Sequence, residues 1–294
     1  MSSRLENRAK LACLYAGGVW GLFWIPLRAL EEAGLHGLWV TVIYFLVPTI
    51  FLIPVGILRV KYLKLGGLNL QITGMISGAA LMLYATSIVY TDVVRAMLLF
   101  YLTPVWGTIL GRFFLSEVVT PLRIFSMILA IIGMLTIFGL GVKFPIPQNA
   151  GDWMGVASGL FWAITSLRIR LNQNASAIDM TVSFFLWATI FSILIAVVLA
   201  PFHTPSLVQI SPAMPLLLIF VLLLILPGTL ASLWGPKFLN PGLVGLLFMT
   251  EIVVGSISVA LLAGEAFGSR EVIGIILISS ASMLEPITSI LKNK

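Results

Sequence analysis

Cysteine and charge are both scarce in this chain. Its 294 residues include a single cysteine, Cys13, so no intramolecular disulfide can form and thiol usage does not reveal the compartment. Charged residues make up 10% of the chain and hydrophobic residues 60%, with a mean hydropathy of +1.10. This composition cannot cover the surface of a water-soluble domain. The chain is therefore predicted to be an all-α polytopic membrane protein.

Motifs for catalysis, metal binding and ATP hydrolysis are also missing. The two histidines, His36 and His203, fall in connectors without a zinc-ligand pattern or a Ser/His catalytic set around them. There is no Gly-Lys-Ser/Thr phosphate loop, which disfavours direct ATP-driven pumping. We therefore expect no catalytic residues, no metal site and no cofactor.

The net charge of +6 does not indicate nucleic-acid binding. The basic residues lie in short runs beside apolar segments, as contact with lipid headgroups and membrane topology require. The expected partners are membrane lipid and a small-molecule substrate, with no nucleic acid. The oligomeric state stays open, a monomer included.

Apolar segments long enough to cross a bilayer are abundant. A spanning helix needs about 20 mostly apolar residues, and ten such segments can be delimited. They cover residues 11–28, 37–58, 71–90, 94–113, 121–141, 152–171, 179–200, 213–235, 242–263 and 271–291. The connectors are short, so no soluble domain is expected.

The chain also contains an internal repeat, which is the signature of a duplicated architecture. The stretch from Ala96 to Gly133 recurs 148 residues later, where Phe248 aligns with Phe100 and Glu265 with Glu117. A weaker match at a separation of 142 aligns these pairs: Gly17 with Gly159, Trp20 with Trp162, and Arg28 with Arg170. We therefore divide the chain into residues 1–143 and 144–294, each a five-helix repeat within one membrane domain.

The distribution of Lys and Arg predicts the orientation. With the N-terminus inside, 13 of the 17 basic residues fall on the cytoplasmic side, which favours cytoplasmic placement of both termini. Because five spans is an odd number, the second repeat must enter the membrane with the opposite orientation. Inverted repeats of this kind support alternating access, with a substrate site near the midplane at the repeat interface.

Aromatic residues dominate the predicted midplane. The candidate substrate-binding residues there are Trp20, Trp24, Tyr84, Tyr101, Thr103, Trp162, Trp187 and Glu251. Aromatic walls suit apolar, aromatic or cationic ligands through stacking and cation–π contact. The alternative for each deep tryptophan is packing inside the bundle or against lipid.

Glu251 is the one acidic residue placed near the midplane, where carboxylates are costly and usually functional. It could bind a substrate ammonium group, carry a proton, or tie its helix to a neighbour through a hydrogen bond. Glu117 and Glu265 are assigned a structural role instead. They precede Thr120-Pro121 and Ser269, which are predicted to be helix N-caps.

Proline interrupts several of the predicted spans. The candidate hinges or kinks are Pro48, Pro104, Pro227 and Gly228. A proline within a spanning helix frees a backbone carbonyl and permits a bend. Such prolines are also common as simple kinks.

The order and duplication of several short motifs point to a family. Gly-x-x-Trp-Gly lies at 17–21, Tyr-Leu-Thr-Pro at 101–104 and Leu-Phe-Trp-Ala at 160–163, and a glutamate precedes both the fifth and the tenth span. With its ten spans, the chain resembles the EamA family of drug/metabolite transporters. Within that family it is most similar to YddG-type exporters of aromatic and other amino acids. Where this family often has Glu-Pro the chain has Glu251-Ile252, so the glutamate is kept and the kink is not expected.

This resemblance implies ten helices around a central cavity and export across the bacterial inner membrane. The predicted function is secondary transport of amino acids with aromatic or other apolar side chains out of the cytoplasm. One alternative is a multidrug or organic-cation exporter of the same fold. A membrane scaffold without transport activity and a membrane-embedded enzyme are the alternatives from other classes.

Overall fold

The computed structural model describes residues 3–138, 146–264 and 267–292, and every regular element in these ranges is helical. The α-helices are α1 Ser3–Trp20, α2 Trp24–Glu32, α3 Gly37–Leu58, α4 Val60–Tyr90, α5 Val93–Phe100, α6 Thr103–Phe114, α7 Pro121–Phe138, α8 Ala150–Leu171, α9 Ala177–Leu199, α10 Leu207–Ile210, α11 Met214–Phe220, α12 Leu226–Trp234, α13 Pro241–Phe248, α14 Thr250–Ala263 and α15 Ser269–Lys292. Short 3-10 turns cover Pro201–His203 and Gly235–Lys237, and a π-helical turn covers Val221–Ile225.

Nine helical segments of the described chain are long and apolar enough to cross a membrane. They are Arg4–Glu32, Gly37–Leu58, Val60–Tyr90, Val93–Phe114, Pro121–Phe138, Ala177–Leu199, Met214–Lys237, Pro241–Ala263 and Ser269–Thr288. The all-helical, multi-pass architecture predicted from composition is therefore confirmed.

The predicted sixth span is the exception. It forms the 22-residue helix α8, which is about 33 Å long at 1.5 Å per residue. Its polar ends, with Asp152 at the start and Arg168 and Arg170 at the finish, reduce its apolar character. It packs against α4, α5, α6 and α13, so protein rather than lipid covers much of its surface. A tenth crossing remains a prediction.

The largest packing surfaces join the first part of the chain to the second. Helix α4 packs on α8 and α9, α3 packs on α9, and α7 packs on α15. Helix α6 packs on α13, and α1 packs on α12, α13 and α14. The two predicted repeats thus share one core, and the boundary between them near residue 143 lies outside the described residues.

One structural correspondence follows the sequence repeat. Helix α5 runs from Val93 to Phe100 and helix α13 from Pro241 to Phe248, so both ends are separated by the 148 residues of the repeat. Each helix then passes through a short break into the next helix of the same span.

Polar contacts fasten the two ends of the bundle. We call the end that carries the start of α1 the N-terminal face, and the other end the opposite face. At the N-terminal face Arg59 donates to both carboxylate oxygens of Asp179, at 2.6 and 2.9 Å. At the opposite face Arg95 pairs with the buried Asp152 at 2.5 Å. Trp39 donates there to the carbonyl of Ala200 at 2.9 Å.

The two predicted helix caps have different outcomes. The Thr120 hydroxyl accepts from the backbone N–H of Arg123 at 3.2 Å and Pro121 begins α7, which confirms the first cap. Ser269, however, is the first residue of α15 rather than its cap. The carboxylate of Glu271 accepts from the backbone N–H of Gly268 at 2.7 Å instead. Glu265 lies outside the described residues.

Candidate functional site

The first membrane segment is broken in its middle. Helix α1 ends at Trp20 and α2 begins at Trp24, with a tight turn between them. Pro26 has no N–H to donate to the carbonyl of Leu22, which accepts from Ile25 at 3.1 Å instead. This break was not predicted, although Pro26 was the available signal.

The fourth and ninth segments are broken at equivalent positions. Tyr101 and Leu102 separate α5 from α6, and Met249 separates α13 from α14. Their ψ angles of 9°, −3° and −8° are all close to zero, as in a 3-10 turn. Pro104 is the second residue of α6, so it helps to begin that helix.

The expectation that the ninth segment lacks a kink is therefore wrong. The segment breaks without proline. The backbone N–H of Met249 donates to the carbonyl of Leu246 at 3.2 Å, which forms a 3-10 turn between α13 and α14. The Thr250 hydroxyl donates to the carbonyls of Leu14 and Leu247, at 3.1 and 2.9 Å, and so holds α14 against α1. Hydrogen bonds replace proline at this break.

The other proposed hinges differ in their surroundings. Pro48 lies inside the continuous helix α3. Pro227 is the second residue of α12 and directly follows the π-helical turn, a local distortion common at functional sites. Gly228 lies against α1, where an added Cβ would come within 2.6 Å of Cγ1 of Val19. Whether any of them acts as a hinge stays a prediction.

The three breaks surround a cavity. Its inner part, about 40 Å³, is lined by residues from all three broken segments and from α4 and α8. These residues are Trp20, Phe23, Leu81, Tyr84, Phe100, Tyr101, Thr103, Trp162, Gly245, Phe248 and Glu251. A larger part, about 700 Å³, shares Trp20, Phe23, Tyr84, Tyr101 and Glu251 with it. We call the two parts together the central cavity.

The central cavity extends toward the opposite face. Its larger part reaches Arg28 and Glu31 on α2, Val93 at the start of α5, Phe138 at the end of α7, and Glu271 on α15. These positions are the ends of their helices away from the start of α1. A volume of about 700 Å³ falls within the range of small-molecule sites.

Glycine contacts close the bundle between the central cavity and the N-terminal face. An added Cβ at Gly107 would lie 2.6 Å from the carbonyl oxygen of Pro241, and one at Gly245 would lie 2.7 Å from Cα of Pro104. Helices α6 and α13 therefore touch through their backbones. This close approach lies between the central cavity and the N-terminal face.

The wall of the central cavity is aromatic and rigidly held. The rings of Tyr84 and Phe100 lie 4.6 Å apart, and those of Trp162 and Phe248 lie 6.1 Å apart. The Trp20 indole donates to the hydroxyl of Ser232 at 2.9 Å. Trp24 donates similarly to Ser258 at 3.0 Å, and the Thr103 hydroxyl donates to the carbonyl of Phe100 at 2.6 Å. These bonds satisfy the polar edges and leave ring faces for a ligand.

Among the residues that line the inner part of the central cavity, Glu251 is the acidic one. It lies in the first turn of α14, and Tyr84 and Tyr101 line the same part of the cavity. Among the described residues it forms no ion pair with Lys or Arg. The Tyr101 hydroxyl lies beside the Glu251 carboxylate. The Tyr44 hydroxyl is buried without a hydrogen-bond partner among the described residues, but Tyr44 is not part of the cavity lining. The Glu251 carboxylate and the Tyr101 hydroxyl thus form a polar centre in the wall of the central cavity.

Seven of the eight predicted substrate-binding residues line the central cavity. They are Trp20, Trp24, Tyr84, Tyr101, Thr103, Trp162 and Glu251. Trp187 lies apart on α9, where its indole donates to Gln71 at 2.9 Å and its ring packs 5.8 Å from that of Phe191. Phe23 and Phe248 line the cavity and were missed, because phenylalanine in an apolar run gives no signal beyond the residue type. Substrate contact by these side chains remains a prediction.

Comparison with known proteins adds two findings. Residues 7–139 match the model of the EamA-like transporter family. One solved structure, described only as a crystal structure of a protein, aligns with a TM-score of 0.78 and 16% sequence identity, covering 97% of this chain and 99% of that chain. At this identity the likeness shows the fold alone. No curated protein matches the chain. The apolar helices make this chain a multi-pass membrane protein, and its residues 7–139 are similar to the EamA-like transporters.

Proposed function

We propose that this protein is a secondary transporter that exports amino acids with aromatic or other apolar side chains by alternating access. The proposal includes ten spans arranged as two inverted five-helix repeats, with α8 as the sixth span. The family match and the equivalent breaks of the fourth and ninth segments support it. Inverted repeats with broken helices at a central site are the common architecture for such transport.

One observation carries the proposal. An aromatic cavity with the Glu251 carboxylate in its inner part reaches one face of the bundle, and backbone contacts between α6 and α13 lie between it and the other face. Alternating access requires a site that reaches one side at a time. Opening the N-terminal face requires α6 and α13 to separate at Gly107 and Gly245.

The chemistry of the central cavity suits an ammonium group on an apolar body. The ring faces can stack on an aromatic side chain, and Glu251 can accept hydrogen bonds from a substrate ammonium group. The Tyr101 hydroxyl lines the central cavity beside Glu251 and can donate to a substrate carboxylate. A zwitterionic aromatic amino acid therefore finds a partner for each of its groups.

The orientation belongs to the same proposal. The assignment of 13 of 17 basic residues to the N-terminal side favours cytoplasmic termini, and the membrane we propose is the bacterial inner membrane. The central cavity then opens outward, and the conformation is the one that releases exported substrate. Similarity to YddG-type exporters remains part of the prediction.

A specific observation favours the second candidate, an organic-cation exporter. The carboxylates of Glu31, Glu251 and Glu271 all line the central cavity. The basic residue among its described lining, Arg28, is already paired with Glu32 at 3.1 Å. This excess of negative charge attracts cations more strongly than zwitterions.

Counterflow in liposomes that contain only the purified protein tests both candidates. Vesicles are loaded with unlabelled phenylalanine, and uptake of labelled phenylalanine is measured with phenylalanine, phenethylamine or 3-phenylpropionate as the external competitor. An amino-acid exporter exchanges phenylalanine and is inhibited most by phenylalanine. The same assay with vesicles loaded with phenethylamine and with labelled phenethylamine outside tests the second candidate. Exchange of phenethylamine with no exchange of phenylalanine establishes the organic-cation exporter. Uptake no greater than in protein-free liposomes for every compound overturns both.

A further inference from the structure

A second cavity lies at the N-terminal face, away from the central cavity. It has a volume of about 340 Å³ and lies between the start of α4, the end of α8 and the start of α9. We call it the interface cavity. Its polar lining includes Asn69, Thr73, Arg168, Asn172 and Asn174.

Arg168 carries a charge that no carboxylate balances in the described part of the protein. Its Nε donates to the Thr73 hydroxyl at 3.1 Å, and one terminal nitrogen donates to the carbonyl of Asn69 at 3.2 Å. Both acceptors are neutral. Asp179 also lines the interface cavity, but Arg59 binds both of its oxygens. A half-buried guanidinium group that has unused N–H donors is suited to bind an anion, and its planar fork matches the oxygens of a phosphate group.

Apolar residues border the same cavity. The positive φ of 53° at Gly67 separates the short segment Val60–Gly66 from the rest of α4, so this segment takes its own direction at the N-terminal face. Leu65 lines the interface cavity and is 74% exposed, and Leu68 is 80% exposed. Lys61 and Lys64 are exposed on the same segment. Exposed leucines beside lysines are typical of a segment lying in the membrane interface.

We propose that the interface cavity binds the phosphate of an anionic phospholipid headgroup. Arg168 holds the phosphate, Asn172 and Asn174 supply further hydrogen bonds, and the acyl chains lie along Leu65 and Leu68. Lys61 and Lys64 add the attraction that distinguishes an anionic lipid from a zwitterionic one. The inference needs neither the transport function nor the identity of the compartment at this face.

Native mass spectrometry of the full-length protein in detergent tests the site. The protein is titrated with phosphatidylglycerol, with phosphatidylcholine of the same acyl chains, and with inorganic phosphate. We expect phosphatidylglycerol to bind most tightly and Arg168→Gln to weaken its binding about tenfold, as the loss of a charge-assisted contact implies. Arg112→Gln removes an exposed arginine near the same face and should leave binding unchanged.

Two further measurements make the outcome decisive. Arg168→Lys keeps the charge but loses the planar guanidinium fork, so it should weaken binding of phosphatidylglycerol severalfold. This variant serves as the test if Arg168→Gln does not yield folded protein. Leu65→Ser should weaken binding of the lipid and not of inorganic phosphate. Equal affinity for phosphatidylglycerol in the wild type and in the folded Arg168 variant overturns the proposal. Tight binding of inorganic phosphate without retention of lipid assigns the site to a free anion and also overturns it.

Discussion

At the scale of single residues, substitutions of Glu251 distinguish three roles that make different demands on the side chain. A proton carrier needs a titratable group, so Glu251→Gln should abolish pH-driven accumulation while substrate exchange continues. An ammonium ligand needs negative charge, so Gln should weaken binding of amines more than binding of analogues without the amine. A structural hydrogen bond tolerates Gln, and Ala should cost about 1 to 3 kcal/mol of stability by leaving a buried partner unsatisfied. Transport and binding assays at several pH values decide among them, and wild-type behaviour in Glu251→Gln leaves only the structural role.

A pair of tryptophans gives a matched test of the aromatic wall. Trp162 lines the central cavity, whereas Trp187 packs on Gln71 and Phe191. Trp162→Ala removes a stacking partner worth about 0.5 to 1.5 kcal/mol, so the half-saturating concentration of phenylalanine should rise about 2-fold to 10-fold. Trp187→Ala should leave that concentration unchanged in the same counterflow assay. Equal effects of the two substitutions would indicate a packing role for both residues.

Glu117 provides a prediction about pH and stability. Burial raises the pKa of its carboxyl group above the ordinary value, although Arg123 and Arg170 act in the opposite direction. Since the folded state holds the proton more tightly than the unfolded state, the stabilising contribution is present at acidic pH and is lost as the pH rises through the folded pKa. The melting temperature of Glu117→Gln minus that of the wild type should therefore increase as the pH rises from 4 to 8. A difference that is constant with pH, or that falls, contradicts this assignment.

At the scale of elements, close helix contacts position the breaks that surround the central cavity. An added Cβ at Gly159 of α8 would lie 2.5 Å from the carbonyl oxygen of Phe100 and 3.1 Å from the hydroxyl oxygen of Thr103. The equivalent contact on α1 places Gly17 against Phe248. The two contacts hold helices against the ends of α5 and α13, where the fourth and ninth segments break.

Alanine at one of these glycines should disturb both packing and function. Gly159→Ala forces α8 away from the junction of α5 and α6, and overpacking of this kind costs about 1 to 3 kcal/mol. We expect a lower melting temperature in detergent and reduced exchange in liposomes. Gly18→Ala on α1 is the control, because the new Cβ would meet Val254 at an ordinary 3.6 Å. A Gly159→Ala protein as stable and active as Gly18→Ala would show that this approach is not needed.

At the scale of the whole molecule, the orientation decides which side the central cavity faces. Cys13 is the one cysteine of the chain and is fully buried. A Cys13→Ala background therefore contains no native thiol, and labelling reports on an introduced cysteine alone. In that background Phe202→Cys, at a position that is 94% exposed at the opposite face, should react with an impermeant thiol reagent in intact cells. Lys61→Cys at the N-terminal face should react only after the membrane is disrupted. The reverse pattern places the opening of the central cavity in the cytoplasm and excludes the outward-open assignment.

The sequence by itself determined that this protein is a helical membrane protein with a polar centre of few charges. Hydrocarbon requires each spanning segment to satisfy its own backbone hydrogen bonds, so a run of apolar residues is enough to predict a helix. The repeat was visible because aligned residues recur at a constant separation, and Phe100 and Phe248 both end a helix at a break. Glu251 stood out because acidic residues are rare in such segments.

Only the tertiary structure decided which side of each helix faces the central cavity. Trp162 and Trp187 have similar depth along their helices in the sequence, yet packing of distant segments brings only Trp162 to the cavity wall. Tyr84 and Glu251 lie on distant parts of the chain, and helix packing brings both to the same cavity wall. The break at Met249 arises from a short turn and from a hydrogen bond to Leu14 made by Thr250, not from proline. Local composition determines partition into the bilayer, whereas contacts between helices far apart in sequence determine the site.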